Sequence, residues 1–358
     1  MPQSPQERDL EIETYLNAFQ TPPSSSSTQS KSPSKSKSKS IQINVPLTHL
    51  HTPTTISISR KVCCGTSRCF YCPICCQLLM KASDLPSSLR DLNLPFHLDI
   101  ILCDRRTVAT GLQAFLLLQQ QQQHQHHQSQ SQTPHPHPKE VRLVDMHQGD
   151  NLPSYPNPSP SSSSSSSSST TTTCVLFPSS DSIPLSSVAS SLKRLIVLDC
   201  KWTKSSVLTH CPAFHKFTKV HLTTPPSTSH SWRWHTAGKG RISTLEAIYC
   251  AAWEVLPYSP HGKDDLHETK KNSIAPLLHL LYLFGLQRAL IRTAAVMDHR
   301  SMPFSEQGKE EQRALRRYKG TEKQRRDKEI GNRWKQTQIQ IQTQQIRDND
   351  APPLKDDK

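Results

Sequence analysis

Apolar and polar positions follow short-range patterns that predict a mixed α/β domain. Alternation of apolar and polar residues predicts two short strands over residues 41–47 and 54–62. Short apolar runs predict buried strands over residues 94–104, 141–146, 194–202 and 217–222, and a further apolar run begins at residue 174. Helical spacing predicts helices over residues 109–119, 187–194, 242–256 and 274–291. Alternating strands and helices favour a layered α/β fold with a largely parallel sheet and flanking helices.

Nearly uniform polar tracts interrupt this pattern, and we expect them to lie outside the folded core. They comprise an N-terminal tail over residues 1–40, Gln/His-rich and Ser/Thr-rich low-complexity insertions over residues 119–138 and 151–173, and a charged basic and Gln-rich C-terminal tail over residues 302–358. The spacing of apolar residues within 1–20 is also that of a short amphipathic helix. The folded domain is then expected over residues 60–300, with a Cys-rich element at residues 60–80.

The amino-acid composition indicates which kinds of molecule this protein binds. The 358 residues include 43 Lys and Arg against 29 Asp and Glu, a net charge of +14, which favours an anionic partner such as nucleic acid. No uninterrupted apolar run reaches the ~18–20 residues that a membrane helix needs. The N-terminus lacks the layout of a secretory signal, and the basic runs favour the nucleus, with the cytoplasm as the alternative. Nothing in the sequence indicates an obligate protein partner.

Six of the eleven cysteines fall between residues 63 and 76. Overlapping Cys-x-x-Cys pairs join Cys69, Cys72 and Cys75, and Cys63 or Cys64 lies across a turn at Gly65. Such pairs allow thiolates to converge on one ion, and structural Zn²⁺ takes four of them in a tetrahedron. The alternative is a group of buried thiols without metal. A closed site with four thiolates leaves no open position for chemistry.

Two further segments have the residues of a ligand site. Asp199 ends a predicted buried strand, which places it at the edge of the sheet where α/β domains bind ligands, and Trp202 could stack on a base. Alternatively, Asp199 caps the next turn and Trp202 packs in the core. Ser243 and Glu246 form a capping box at the start of the helix over residues 242–256. The preceding basic loop contains Arg233, Lys239 and Arg241, which suits an anion at the helix N-terminus.

These segments, in this order, resemble the DTW-domain family. The family is named for an Asp-x-Thr-Trp motif at a strand end, which reads Asp199-Cys200-Lys201-Trp202 here, followed by a Ser-Thr-x-Glu-Ala helix start at residues 243–247. A cysteine cluster, the strand over residues 94–101 and the Phe177-Pro178 strand precede these motifs as they do in the family. The resemblance covers about residues 60–295 outside the two insertions. Within the family, the Gly-x-Ser-Arg-x-Phe-Tyr stretch at residues 65–71 is similar to that of the first of the two eukaryotic subgroups that act on tRNA.

The resemblance implies a tRNA-uridine aminocarboxypropyltransferase with a SPOUT-like, knotted α/β fold. Such enzymes transfer the 3-amino-3-carboxypropyl group of S-adenosylmethionine to N3 of a D-loop uridine and release methylthioadenosine. It further implies Asp199 and Trp202 as catalytic residues, with Asp199 as base or orienting group. The implied S-adenosylmethionine-binding residues are Phe177, Pro178, Ser182, Asp199, Ser243, Thr244 and Glu246. The implied tRNA-binding residues are Arg233, Lys239 and Arg241.

Three departures from the family pattern bear on these expectations. Lys201 replaces the motif Thr, so a cation either weakens binding of the sulfonium or contacts tRNA. A His-Pro-x-Glu segment is replaced by residues 103–106, Cys-Asp-Arg-Arg. The first cysteine of the family pattern falls on Lys61, so either Cys63, Cys69 or Cys76 supplies the fourth ligand or the metal site is lost. We assign the metal site to Cys64, Cys69, Cys72 and Cys75.

Two other functions are compatible with parts of the sequence. One is a zinc-stabilised RNA-binding protein that has kept the fold and lost the activity, for which Lys201 is the main support. The other is a zinc-containing nuclear regulator whose Gln- and Ser-rich tracts recruit partners. The strand that ends at Asp199 and the helix that starts at Ser243 argue against a regulator, which needs no such cleft.

Overall fold

A computed structural model describes residues 4–21, 40–46, 53–128, 139–146, 148, 150, 152–153, 155, 172–201, 212–226, 229–231, 241–258, 276–297, 321–322, 325 and 329. The chain divides into two compact units, residues 1–294 and 295–358. In the second unit, Arg325 and Glu329 form an ion pair at 3.8 Å on successive helical turns. The fold described below is that of the first unit.

The first unit begins with a helix, a hairpin and a Cys-rich element. These are α1 (Pro5–Asn17), β1 (Ile41–Pro46), β2 (Pro53–Ile58), β3 (Lys61–Cys63), β4 (Thr66–Arg68), β5 (Tyr71–Cys72) and β6 (Gln77–Leu78). The remaining elements are β7 (His97–Leu102), α2 (Gly111–Gln128), β8 (Val141–Asp145), β9 (Thr172–Leu176), β10 (Ile183–Pro184), β11 (Leu192–Asp199), β12 (Thr218–His221), α3 (Thr244–Val255) and α4 (Tyr282–Met297). Within the described residues, no helix combines the length and apolar character that a membrane crossing requires.

A six-stranded sheet forms the centre of the domain. The strand order is β10-β12-β9-β11-β7-β8, and every neighbouring pair is parallel. In β7, Leu98, Ile100, Ile101 and Leu102 are fully buried, as expected for a parallel strand covered on both faces. The prediction of a parallel sheet with flanking helices is therefore confirmed, whereas a knot in the backbone stays a prediction. Since all strands run the same way, their carboxyl ends meet at one edge of the sheet.

The N-terminal segment differs from the expected tail. Residues 5–17 form α1, which Ser4 and Glu7 start with a reciprocal capping box. Ile12, Leu16 and Phe19 are almost completely buried. The assignment of residues 1–40 to a disordered tail is wrong for this helix because its apolar stripe packs against the domain, as the helical spacing of residues 1–20 indicated.

The low-complexity insertions also begin and end inside ordered elements. Helix α2 continues to Gln128 and so includes the first ten residues of the expected 119–138 insertion, in keeping with the good helix propensity of glutamine. Within the expected 151–173 insertion, Tyr155 is buried and its hydroxyl donates to Asp99 Oδ2 at 2.7 Å. Strand β9 already begins at Thr172. The boundaries predicted from composition are therefore wrong at these ends.

The predicted helix over residues 187–194 is wrong as well. A short 3-10 helix at Leu185–Ser187 leads into β11, which starts at Leu192. Serine favours turns over helix interiors, and the apolar residues that follow gain more by pairing with β7 and β9 on both sides.

A partly buried ion network fixes the amino-terminal part of the sheet. The Arg194 guanidinium donates to Asp99 Oδ1 and to Glu140 Oε2, each at 2.6 Å. Asp99 is fully buried, so this pairing is what makes a carboxylate tolerable there. Hydrogen bonds from Arg142 first, and then from Arg194, lower the pKa of Glu140 to about 2 against the opposing effect of burial. The polar groups of β7, β8 and β11 thus support the edge opposite the strand carboxyl ends.

Candidate functional site

A cavity of about 340 Å³ opens at the carboxyl edge of the sheet. Residues at the ends of β9, β11 and β12 line one part of it, and the start of α3 lines another. The lining residues are Thr110, Leu176, Phe177, Pro178, Val197, Leu198, Asp199, Cys200, Leu222, Pro225, Ser231, Arg241, Ile242, Ser243, Thr244 and Ala247. The cavity therefore has mainly apolar walls with a few polar groups, which is the usual character of a small-molecule site.

Asp199 is the acidic side chain among these lining residues. It ends β11, and only 7% of its surface is exposed. Its Oδ2 accepts a hydrogen bond from the backbone amide of Gly111 at 2.6 Å, where α2 begins. The carboxylate therefore lies at the positive end of a helix dipole, which stabilises a negative charge.

Three elements approach one another closely beside Asp199. A Cβ atom on Gly111 would lie 2.8 Å from Ile100 Cγ2, 2.9 Å from Asp199 Oδ2 and 3.3 Å from Thr244 Cγ2. Any side chain at this position would push β7, Asp199 or α3 outward. The absence of a side chain on Gly111 is therefore what lets the start of α2 contact the carboxylate.

The N-terminus of α3 forms the wall that faces this strand edge. Ser243 is the N-cap, its hydroxyl accepts the amide of Glu246, and Glu246 accepts the amide of Ser243 at 2.8 Å. The predicted capping box is thus confirmed. Ser243 and Thr244 line the cavity, and the first amides of a helix have no partner within it. This end of α3 can hold an anionic group such as a carboxylate.

Glu246 and Ser182 lie beside the cavity without lining it. Glu246 is buried and accepts hydrogen bonds from Ser229 Oγ at 2.9 Å and from His230 N at 2.7 Å, so it holds the segment that brings Ser231 to the cavity. Ser182 Oγ donates to Ser179 O at 2.7 Å and accepts the Ser179 amide, closing the turn after Phe177-Pro178. Glu246 and Ser182 therefore support the segments that form the cavity wall.

The structure brings together most of the other predicted residues that it describes. Phe177, Pro178, Asp199, Ser243 and Thr244 all line the cavity, as does Arg241 from the predicted tRNA-binding set. The predictions for Trp202, Arg233 and Lys239 fall outside the described residues.

The sequence reasoning missed several lining residues. Thr110 lies just before α2, and Leu222 and Pro225 follow β12. Their signals in the sequence are weak: Thr110 is the second residue of the predicted helix over 109–119, Leu222 is the last of the predicted strand over 217–222, and Pro225 follows that strand. Thr224, which is between the last two, is held by Glu254 of α3, whose Oε1 accepts the Thr224 amide at 2.9 Å.

The Cys-rich element consists of two small hairpins, β3–β4 and β5–β6. Its turns bring together the sulfur atoms of four cysteines, all within 4.8 Å of one another: Cys63, Cys64, Cys72 and Cys75. Cys63 Sγ lies 3.9 Å from Cys64 Sγ and 3.4 Å from Cys75 Sγ. Tetrahedral Zn²⁺ with Zn–S bonds of about 2.3 Å needs sulfurs about 3.8 Å apart. The donor set and its spacing therefore fit a structural metal ion such as zinc.

The structure does not bring Cys69 into this cluster, where Cys63 lies in its place. Cys64 and Gly65 have φ angles of +49° and +72°, and this tight turn at the end of β3 brings Cys63 and Cys64 to the same side. Burial opposes ionisation of the Cys72 thiol, but the amides of Cys75 and Ile74 donate to its sulfur and lower its pKa to about 6. A thiolate is the form that binds metal.

Arg106 joins this element to the central sheet. Its guanidinium donates to Ile74 O at 2.9 Å and to Cys76 Sγ at 3.3 Å, and it also forms an ion pair with Asp145 at the end of β8. Nearby, Asp104 Oδ2 accepts the amide of Lys201 at 2.7 Å. The segment over residues 103–106 thus fixes both the Cys-rich element and the chain after Asp199.

A comparison with known protein families finds one family whose model matches this chain. The model of the DTW domain matches residues 71–277, which is more than half of the chain and includes the whole carboxyl edge of the sheet. No curated protein sequence and no solved structure matches the chain.

Proposed function

Since this chain belongs to the DTW-domain family, we propose that it is a tRNA-modifying transferase and, more specifically, a tRNA-uridine aminocarboxypropyltransferase. It would take the 3-amino-3-carboxypropyl group from S-adenosylmethionine and attach it to N3 of a D-loop uridine. The observation that carries this proposal is Asp199, a buried carboxylate at the wall of the 340 Å³ cavity, opposite the N-terminus of α3.

The residues of the cavity suit the two ends of S-adenosylmethionine. The amides at the start of α3, with Ser243 and Thr244, would hold the methionyl carboxylate. Apolar side chains such as Leu176, Leu222 and Pro225 would enclose the adenosine portion. With the substrate held in this way, the choice of the γ-carbon over the methyl group is a matter of position.

The reaction requires a group that accepts a proton. Uridine N3 forms a bond to the γ-carbon, the carbon–sulfur bond breaks, and the electron pair stays on the sulfur of methylthioadenosine. The N3 proton must leave, and Asp199, which lines the cavity, would accept it or orient the uracil. The hydrogen bond from Gly111 N holds this carboxylate in one orientation.

Lys201, which replaces the motif Thr, is compatible with the proposed activity because its side chain lies outside the cavity lining. The Lys201 side chain is exposed and is not among the residues that line the cavity, while its amide is tied to Asp104. The ammonium group is thus available to tRNA, in keeping with the net charge of +14. We propose the nucleus, with the cytoplasm as the alternative, as the place of action.

The experiment is an in vitro transfer assay. The full chain is incubated with unmodified tRNA and S-adenosylmethionine labelled in its aminobutyrate moiety, and the nucleosides are analysed by mass spectrometry. We expect labelled aminocarboxypropyluridine and free methylthioadenosine, and at least a hundredfold loss of both in Asp199→Ala, the range expected for removal of a general base.

Asp91→Ala is the matched control, because Asp91 is an exposed carboxylate that does not line the cavity. It should transfer at the normal rate. If the normal chain binds tRNA but neither labels it nor releases methylthioadenosine, the protein is instead an RNA-binding member of the family without activity. In that case Lys201→Thr is the first reversion to test.

A further inference from the structure

A second cavity, of about 280 Å³, lies between the Cys-rich element and α4, apart from the one that contains Asp199. Arg60 and Arg68 line it, together with Ser67 and Thr107, whose side chains carry hydroxyl groups. None of the described residues that line it is acidic. No acidic side chain among these lining residues therefore balances the positive charges of the two arginines.

Arg68 carries the strongest indication of a missing acceptor. Its Nε is buried and has no hydrogen-bond acceptor within the part of the chain that is described. A buried N–H of a charged group that donates to nothing costs free energy. Arg68 lines the cavity, so a shift of its guanidinium toward an anion held there would give this N–H an acceptor. A guanidinium matches the geometry of a phosphate with two parallel donors.

A partly buried pair of side-chain amides adds a further donor. Gln113 of α2 donates from Nε2 to Gln287 Oε1 at 2.8 Å. In this hydrogen-bond arrangement the oxygen of Gln287 is occupied, so its NH₂ group is the part that is left to donate. Gln287 lines the cavity. The residues that line this cavity therefore carry two guanidinium groups, one side-chain amide and two aliphatic hydroxyl groups that can act as donors.

We propose that this second cavity binds a phosphate group of the RNA substrate. The assignment of RNA rests on the proposed function, whereas the preference for a phosphate rests on the donors alone. A phosphate contact here would add an anchor on the Cys-rich element, at a site separate from the cavity where the uridine is modified. It would position the tRNA without contacting the reacting atoms.

The test measures tRNA affinity of the full, metal-loaded chain at several salt concentrations. Arg68→Gln removes one phosphate contact, so we expect about tenfold weaker binding and a salt-dependence slope smaller by about 1. Lys193→Gln is the matched control, since Lys193 is an exposed cation on β11 outside this cavity. It should change neither quantity. Binding of S-adenosylmethionine should be the same in all three proteins.

A second variant separates this proposal from a loss of folding. Gln287→Glu has the same shape, keeps the acceptor for Gln113 and introduces a carboxylate beside Arg68. We expect an unchanged or higher melting temperature with at least tenfold weaker tRNA binding. Unchanged tRNA affinity and slope in both variants would overturn the proposal, whether or not the chain proves to be a transferase.

Inorganic phosphate identifies the source of the phosphate group. If it raises the melting temperature of the normal chain but not of Arg68→Gln, while both variants still bind tRNA normally, the cavity takes free phosphate and the RNA assignment is overturned. If it competes with tRNA for the normal chain and has no effect on tRNA binding by Arg68→Gln, the RNA assignment is supported.

Discussion

At the scale of single residues, the cavity depends on how closely β7, β11, α2 and α3 approach one another at Gly111. Asp199 Oδ2 lies 2.6 Å from the Gly111 amide nitrogen. This approach is possible because glycine has no Cβ atom, which would lie 2.9 Å from Asp199 Oδ2. The preceding residue, Thr110, lines the cavity. Gly111 therefore controls both the position of the carboxylate and the shape of the wall.

We expect Gly111→Ala to impair transfer more than folding. The new methyl group would lie within 3.0 Å of Ile100 Cγ2 and Asp199 Oδ2, so one of them must move, at a cost of about 1–3 kcal/mol. Alanine is the better helix former, which offsets part of this loss of stability. The measurements are kcat/KM for tRNA labelling, expected to fall at least tenfold, and the melting temperature.

Gln119→Ala on the same helix serves as the control, because Gln119 is partly exposed and lies outside the cavity lining. It should keep full activity. Normal kcat/KM in Gly111→Ala would show that the close approach has no part in positioning Asp199.

At the scale of elements, the sequence predicted what local rules decide. The capping box of α3 and the strand that ends at Asp199 each depend on a few neighbouring residues, and both are found. Gly111 and Pro225 could not be found in this way, because they reach the cavity only through the order of strands in the sheet. The helix expected over residues 187–194 failed for the same reason, since pairing with two strands outweighs a local preference.

The Cys-rich element shows the limit of spacing alone. Overlapping Cys-x-x-Cys pairs made Cys69 as plausible as Cys63. The choice depends on the turn at Cys64 and Gly65, where positive φ angles bring two adjacent cysteines to one side. Such a turn is uncommon for a residue other than glycine and is not predictable from the pattern of cysteines.

Paired substitutions test this assignment. We expect Cys63→Ser to lose most of the bound zinc and to lower the melting temperature, because a fourth thiolate is removed from the cluster. Cys69→Ser should retain one zinc ion per chain. The measurement is zinc content by mass spectrometry after gel filtration, with melting curves before and after a chelator. Loss of zinc in Cys69→Ser and retention in Cys63→Ser would restore the assignment made from the sequence.

At the scale of the whole molecule, α1 joins two parts of the domain that are distant in sequence. Phe19 packs against Gly285 and stacks edge-on with Tyr282, at 5.6 Å between ring centroids. Arg8 is fully buried, lies 5.1 Å from the Trp253 ring and donates to Thr224 O at 2.7 Å. Residues 5–17 precede the part that matches the family model, so this contact is an addition to the matched domain.

The bond from Arg8 reaches the cavity indirectly, because Thr224 lies between Leu222 and Pro225, which both line it. We expect Arg8→Met to keep the helix packed, to lower stability by about 2 kcal/mol through the lost charged hydrogen bonds, and to weaken binding of S-adenosylmethionine several-fold. Leu10→Ser on the exposed side of α1 is the control and should leave both unchanged. Calorimetric titration with S-adenosylmethionine and urea unfolding provide the two readouts. Lower stability with unchanged affinity would limit α1 to a purely structural role, whereas the expected several-fold loss of affinity, measured at a temperature where the variant is fully folded, would make Arg8 a positioning residue for the cavity.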